Sequence, residues 1–471
     1  MRKVSREEIL TGNPVKVMFI LGLPIMLAQF LFTLYNLTDT FWLGHLPLSE
    51  SATAVAGMQV AWPIIWFLMA FSFGFGIAGV ALISQYTGAG NHEKAEFSAS
   101  QVMSISLLFG LFIGVLGFFL MPFIASLVTH VKDVSNIAVL YMKTFFVGIP
   151  FIFASFTFQQ ILSAKGDNVT PMQVTIITVI FNLVLDPFLI FGWWFFPRMG
   201  VQGAALATVI AEGIAACIGL YMLFKGSKGI KITLKHMVPD FAWFKKIFKI
   251  GFPAAIGSST TAFGFLVLTG IIGRTVNAEV ALSAYGIGDR LVNVIFIVVE
   301  GVGTSIVTMV GQNIGANLID RVEKIAKTGI KVEFLITIVE ALIVFLSRSV
   351  LFKVFIPGRS DVVKEGILFL SIFTIGLPFF GLFSAVAGVF RGSGHNTPPM
   401  IADIVRLWVI RVPFAYLFSL KWGTAGIWWA MTLSNVIASL VVYFMYLKGA
   451  WKKAVIHEEV KVGVIPEIPE E

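Results

Sequence analysis

Two aspartates lie inside otherwise apolar runs, Asp39 in YNLTDTFWLG and Asp186 in NLVLDPFLIFG. Tyr35 and Asp39 are four residues apart, as are Asn182 and Asp186, so each pair shares a helix face, and Asn36 is three residues from Asp39. If the first helix ends near Gly44 and the fifth near Gly192, Asp39 lies about 6–8 Å and Asp186 about 9 Å from the same surface, at about 1.5 Å per residue. A sixth helix entering from that surface at Gly200 carries Thr208 about 12 Å deep, with Glu212 one turn further. This oxygen-rich set suits a hard cation or a shared proton. Two close carboxylates repel and exchange protons as a pair. A charge at such depth is costly unless it faces protein or water, which favours a functional site over two separate structural hydrogen bonds.

The elements that position these residues are membrane helices. Of 471 residues, 57% are hydrophobic and 13% charged, where a soluble domain has about 25% charged. Twelve runs reach the roughly 20 apolar residues a span requires: 16–43, 51–83, 97–129, 137–164, 170–192, 201–224, 243–273, 281–311, 325–348, 363–390, 398–420 and 425–447. They are too long and too little alternating for barrel strands. The expected fold is an all-α integral membrane protein. Single Cys217 excludes an internal disulfide framework, and MRKVSREEIL does not read as a cleaved signal peptide. With the N-terminus inside, inner segments carry 22 Lys and Arg and outer segments 9, with Arg290, Arg406 and Arg411 in or at the ends of spans. Both termini are therefore expected in the cytoplasm. The net charge of +8 is a topology signal and does not imply nucleic acid.

The chain repeats itself. GLPIML at Gly22 returns as GFPAAI at Gly251, SQYTGAG at Ser84 as GQNIGAN at Gly311, and VGIPF at Val147 as IGLPF at Ile375. KGDNVTPM at Lys165 returns as SGHNTPPM at Ser393, and GVQGAALA at Gly200 as GTAGIWWA at Gly423. The offsets, 229, 227, 228, 228 and 223, keep order. Six spans per half, an even number, predict two parallel lobes related by an axis along the membrane normal, an arrangement that suits alternating access. The expected organisation is a cytoplasmic segment 1–15, an N-lobe 16–224, a cytoplasmic linker 225–242, a C-lobe 243–447 and a cytoplasmic tail 448–471. The acids are not repeated. The counterpart of Asp39 falls near Leu268 and that of Asp186 near Val412–Phe414. Cation chemistry is therefore expected in the N-lobe alone.

With these residues the chain resembles the multidrug and toxic compound extrusion (MATE) family over almost all of residues 10–450. The resemblance rests on the six-plus-six spans, LGLPIMLAQFLFTLYNLTDTFWLG, SQYTGAGNHEKA, QQILSAKGDNVTPM and NLVLDPFLIFG. It implies a secondary antiporter in the cell membrane. Such a protein exports amphipathic, often cationic small molecules against an inward gradient of H⁺ or Na⁺, without another cofactor or a structural metal. It also implies a cation site of Asp39, Asn182, Asp186 and Thr208 with Tyr35 beside it, as in the archaeal and DinF-like branch, and a helix bend at Pro24. The loop WWFFPRM before Thr208 bears on its register. Other branches carry acids in spans seven and ten. Here those spans have only the terminal Glu365, which argues for this branch.

Glu300, Glu340 and Arg411 are secondary polar candidates within spans, for substrate or lipid headgroups or for pairing within the bundle. Asp403 and Arg406 are placed for a local ion pair. Met58, Gln59, Met69 and Phe73 are candidates for an adaptable substrate cleft. GFGIAG at Gly74 reads as small-residue helix packing. No phosphate-binding loop, HExxH or His/Cys metal cluster is present in the sequence, so ATP-driven transport has no support within it. A lipid-linked saccharide flippase of similar fold is the alternative transporter, and a membrane enzyme lacks a nucleophile or metal set. The expected partners are small-molecule substrates and membrane lipids, with a functional monomer.

Overall fold

The computed structural model describes residues 1–128, 132–356 and 358–456, except for the side chains at 36, 37, 40, 48–60, 62, 63, 127, 128 and 132. All regular structure among the described residues is helical: α1 (Arg6–Thr11), α2 (Pro14–Gly44), α3 (Leu48–Gly88), α4 (His92–Val128), α5 (Lys132–Ala164), α6 (Val169–Phe191), α7 (Val201–Lys225), α8 (Phe241–Ile272), α9 (Ala278–Gly315), α10 (Ile319–Phe355), α11 (Ser360–Phe373), α12 (Leu377–Ser393), α13 (Thr397–Ile404), α14 (Val412–Trp422) and α15 (Thr424–Leu447). Helices are the expected answer to lipid, because each satisfies its own backbone groups.

Eleven expected spans correspond to helices long and apolar enough to cross a membrane. The run 398–420 is helical throughout, but it is made of α13, a π-helical stretch Val405–Arg411, and α14. Pro413 explains the interruption. It has no N–H to continue the ladder, and Val412 instead donates to Leu407 O, one residue further back than in an α-helix. The span 363–390 is likewise jointed, with a 3₁₀ turn Thr374–Gly376 between α11 and α12.

Packing divides the chain into two units. The first comprises Met1–Lys3, Leu27–Thr87 and Asn91–Ala255, and the second Val4–Met26, Gly88–Gly90 and Ile256–Glu471. Membership changes inside α2 after Met26 and inside α8 after Ala255, positions separated by the repeat offset of 229. The reason is visible in glycines. In the second unit Gly22 of α2 meets Gly301 of α9, where an added Cβ would lie 3.0 Å from Gly301 O. In the first unit Gly251 of α8 meets Gly74 of α3, where either added Cβ would come within 2.6 Å of the partner's carbonyl oxygen. The GFGIAG run therefore brings two backbones into contact, as small residues do between membrane helices.

In the first unit, Leu43, Met121, Phe146, Phe153 and Ile190 form a buried cluster around α2, α4, α5 and α6. The basic linker after α7 is fastened to α4: Gln101 donates to His236 O and Val238 O, Ser104 donates to Met237 O, and Glu96 accepts from Lys231 N. In the second unit, Tyr285, Phe352, Phe369 and Trp428 fill one core, and Trp428 donates to Glu365. Phe119, Phe123 and Leu346 point outward from the bundle, as lipid-facing side chains do.

The Gly74–Gly251 contact is testable. Gly74→Leu is expected to destabilise the fold by roughly 1–3 kcal/mol through overpacking, seen as an earlier thermal transition in detergent. Gly213→Ala, where an added Cβ meets open space, should leave that transition in place.

Candidate functional site

Four helices of the first unit assemble the site. On α2, Tyr35 and Asp39 are one turn apart and both buried. On α6, Asn182 and Asp186 are one turn apart and fully buried, and the Asn182 amide donates to Asp186 Oδ1 at 3.4 Å. On α7, Thr208 accepts from the Tyr35 hydroxyl at 2.7 Å and donates to Ala204 O. Tyr141 of α5 is buried beside both acids. The Asp39 and Asp186 carboxyls lie within hydrogen-bonding reach of one another.

The register of α7 is set by the preceding loop. Met199 N and Gly200 N donate to Leu189 O and Ile190 O at the end of α6. Gly203 lets the two helices close, since a Cβ there would lie 2.5 Å from Leu189 O. The turn begins with Gly192 and Trp194, both at positive φ. WWFFPRM is thus accommodated by a tight return, and Thr208 arrives opposite Tyr35.

Asp39 Oδ1, Asp186 Oδ2 and Asn182 Oδ1 are buried with no hydrogen-bond partner among the described residues. All three are acceptors. Two carboxylates at contact also need positive charge between them. A proton or a small hard cation meets both needs, and the carboxylate, amide and hydroxyl oxygens are the ligand type such a cation takes.

Other predicted residues are placed differently. Glu212 of α7 lies beside Ser155 of α5 and flanks Tyr35. Pro24 lies inside α2, which continues past it as one helix. Met69 and Phe73 are half-buried on α3, with Phe73 packed edge-on to Phe156. The side chains of Asn36, Met58 and Gln59 lie outside the described residues. In the second unit, Glu300 is exposed and paired with Thr304. Arg411 is buried and donates to Ser434 and Asn435. Asp403 and Arg406 form a buried ion pair at 2.7 Å. Sequence reasoning missed Tyr141 and the fully buried Glu333 of α10. A tyrosine among apolar residues of span four, and a second acid beside Glu340 in span nine, were the available signals.

The MatE family model matches this chain twice, at residues 24–188 and 253–417, so each half carries one copy at an offset of 229. The chain belongs to the MatE family, and its fold is that of a multi-pass membrane transporter. "Probable multidrug resistance protein YpnP" of Bacillus subtilis is 28% identical over 94% of this chain and 96% of its own length. "Probable multidrug resistance protein NorM" of Thermotoga maritima is 28% identical over 92% of each. A crystal structure of a MATE protein in complex with MaL6 superposes with a TM-score of 0.87, covering 95% of this chain and 99% of that one at 24% identity, which speaks to the fold.

The Tyr35–Thr208 bond is open to a double-mutant cycle. Tyr35→Phe and Thr208→Val should each cost about 0.5–1.5 kcal/mol. The double variant should cost clearly less than their sum, read by thermal unfolding in detergent.

Proposed function

We propose that this protein is a secondary active multidrug exporter. It exchanges amphipathic, often cationic small molecules for H⁺ or Na⁺ by alternating access of the two repeats, with cation coupling at Asp39 and Asp186. The observation that carries this reading is the buried carboxyl pair of the first unit, with three acceptor oxygens lacking a donor among the described residues. Such a pair binds a cation and releases it when the surroundings change. The names of the curated relatives supply the substrate class. Asn182 orients Asp186. Tyr35, held by Thr208, lines the approach to Asp39. Pro24 leaves Ile20 O without its i+4 donor and is a natural place for α2 to bend. In this reading the protein works as a monomer in the cell membrane with both termini in the cytoplasm, a placement that the basic inner segments support. It is not an enzyme, and the coupling ion is its sole cofactor.

Reconstitution tests it. Liposomes carrying the wild type should move a fluorescent organic cation when a pH or sodium gradient is imposed, and the effective gradient names the ion. Asp39→Asn should reduce this movement to the level of protein-free liposomes while the protein remains folded. Gradient-driven movement that survives the substitution would sink the coupling role of Asp39. No movement by the wild type would direct attention to lipid-linked substrates.

A further inference from the structure

Glu333 sits on α10 in the second unit and is 0% exposed. Neither of its carboxyl oxygens has an aligned hydrogen-bond partner among the described residues. The half-buried Ser384 hydroxyl of α12 lies beside it. Thr337, one turn along α10, is committed to backbone oxygens: it donates to Glu333 O at 2.8 Å and lies 3.0 Å from Phe334 O. The charged groups that face Glu333 are Glu300 on α9, Glu340 on its own helix and Arg391 on α12. None forms an ion pair with it.

A carboxylate enclosed in this way is among the costliest groups a membrane protein can bury, so it is held neutral or compensated. Space decides between the two. The gap beside the carboxyl is lined by Gly303 of α9, where one added Cβ would lie 3.1 Å from Ser384 Oγ and 3.9 Å from Glu333 Oε1. Among the described residues, those two oxygens are the atoms within 4 Å of that Cβ. A hard metal cation takes about six oxygens, and a proton needs one. The position is also specific to this half of the repeat. At offsets of 227 and 228 its counterparts are Ser106 and Ile105, neither an acid.

We propose that Glu333 is a second proton-binding carboxyl of this transporter, in the half that lacks counterparts of Asp39 and Asp186, and that it loads and releases its proton past Ser384. Ser384 is half-buried where Glu333 is fully enclosed. Glu300, exposed on the same α9 turn as Gly303, is the next proton acceptor. The inference rests on the transport reading for its role in the cycle, but its chemistry can be measured without transport.

The measurement is pH-difference infrared spectroscopy on full-length protein with Asp39→Asn and Asp186→Asn, which silences the first pair. A carbonyl band of a protonated carboxyl should appear and titrate with pH, and adding Glu333→Gln should abolish it. Ser384→Ala, which keeps the acid, should move the band to higher frequency by removing a polar hydroxyl from the carboxyl's surroundings. It thereby tests the assignment even if Glu333→Gln fails to fold. On an otherwise wild-type chain, proton release on adding a fluorescent organic cation, followed with a pH dye in weak buffer, should fall by about half in Glu333→Gln. Absence of a Glu333-dependent band would overturn the proposal. So would a band that responds neither to pH nor to the organic cation, since its proton would then be structural. A band that titrates in a protein that moves no dye in liposomes would retire the export reading and leave the proton site standing.

Discussion

A polar group inside hydrocarbon has no water to bond, and this cost shapes the chain at every level. For the backbone it dictates helices, and the exceptions fall where proline removes a donor. Pro413 does so after Val405–Arg411, where Val412 donates to Leu407 O in a π-helical register. For side chains it dictates that acids turn inward. There Asp39, Asp186 and Glu333 retain oxygens that no described donor satisfies. The same cost that makes these groups rare leaves their oxygens seeking positive charge.

The two halves share a scaffold and differ in chemistry. The Gly22–Gly301 and Gly251–Gly74 contacts are repeat equivalents, and α2 and α8 change unit at equivalent residues. Close backbone packing tolerates no side chain at these glycines, so duplication preserved them. Polar positions carry no such constraint. Leu268 stands where the first half has Asp39, and Arg411 lies next to the counterpart of Asp186, bound to Ser434 and Asn435. The second half has its own acid in Glu333, at a position the first half fills without one. The expectation of cation chemistry in the first half alone came from comparing equivalent positions, and such a comparison does not register an acid at a new one.

Much of the fold was legible because lipid imposes a simple code. Long apolar runs could only be helices, and the repeated motifs marked two halves before any contact was known. The pairing of Tyr35 with Asp39 and of Asn182 with Asp186 followed from helical period alone. What could not be read was register across a loop. Whether WWFFPRM would carry Thr208 past Tyr35 depended on Gly192 and Trp194 at positive φ and on two backbone bonds to the end of α6.

The sequence by itself determined the helices, the duplication and the helical spacing of the first two acids from their polar neighbours, because each follows from hydropathy, order and helical period along one chain. The tertiary structure decided which oxygens meet. It put Tyr141 beside the aspartates and enclosed Glu333 against Gly303 and Ser384, and it exchanged the first halves of α2 and α8 between units. Those outcomes depend on how helices distant in sequence rotate and close on one another. That is set by side-chain volume at contacts such as Gly74–Gly251, which no single segment encodes.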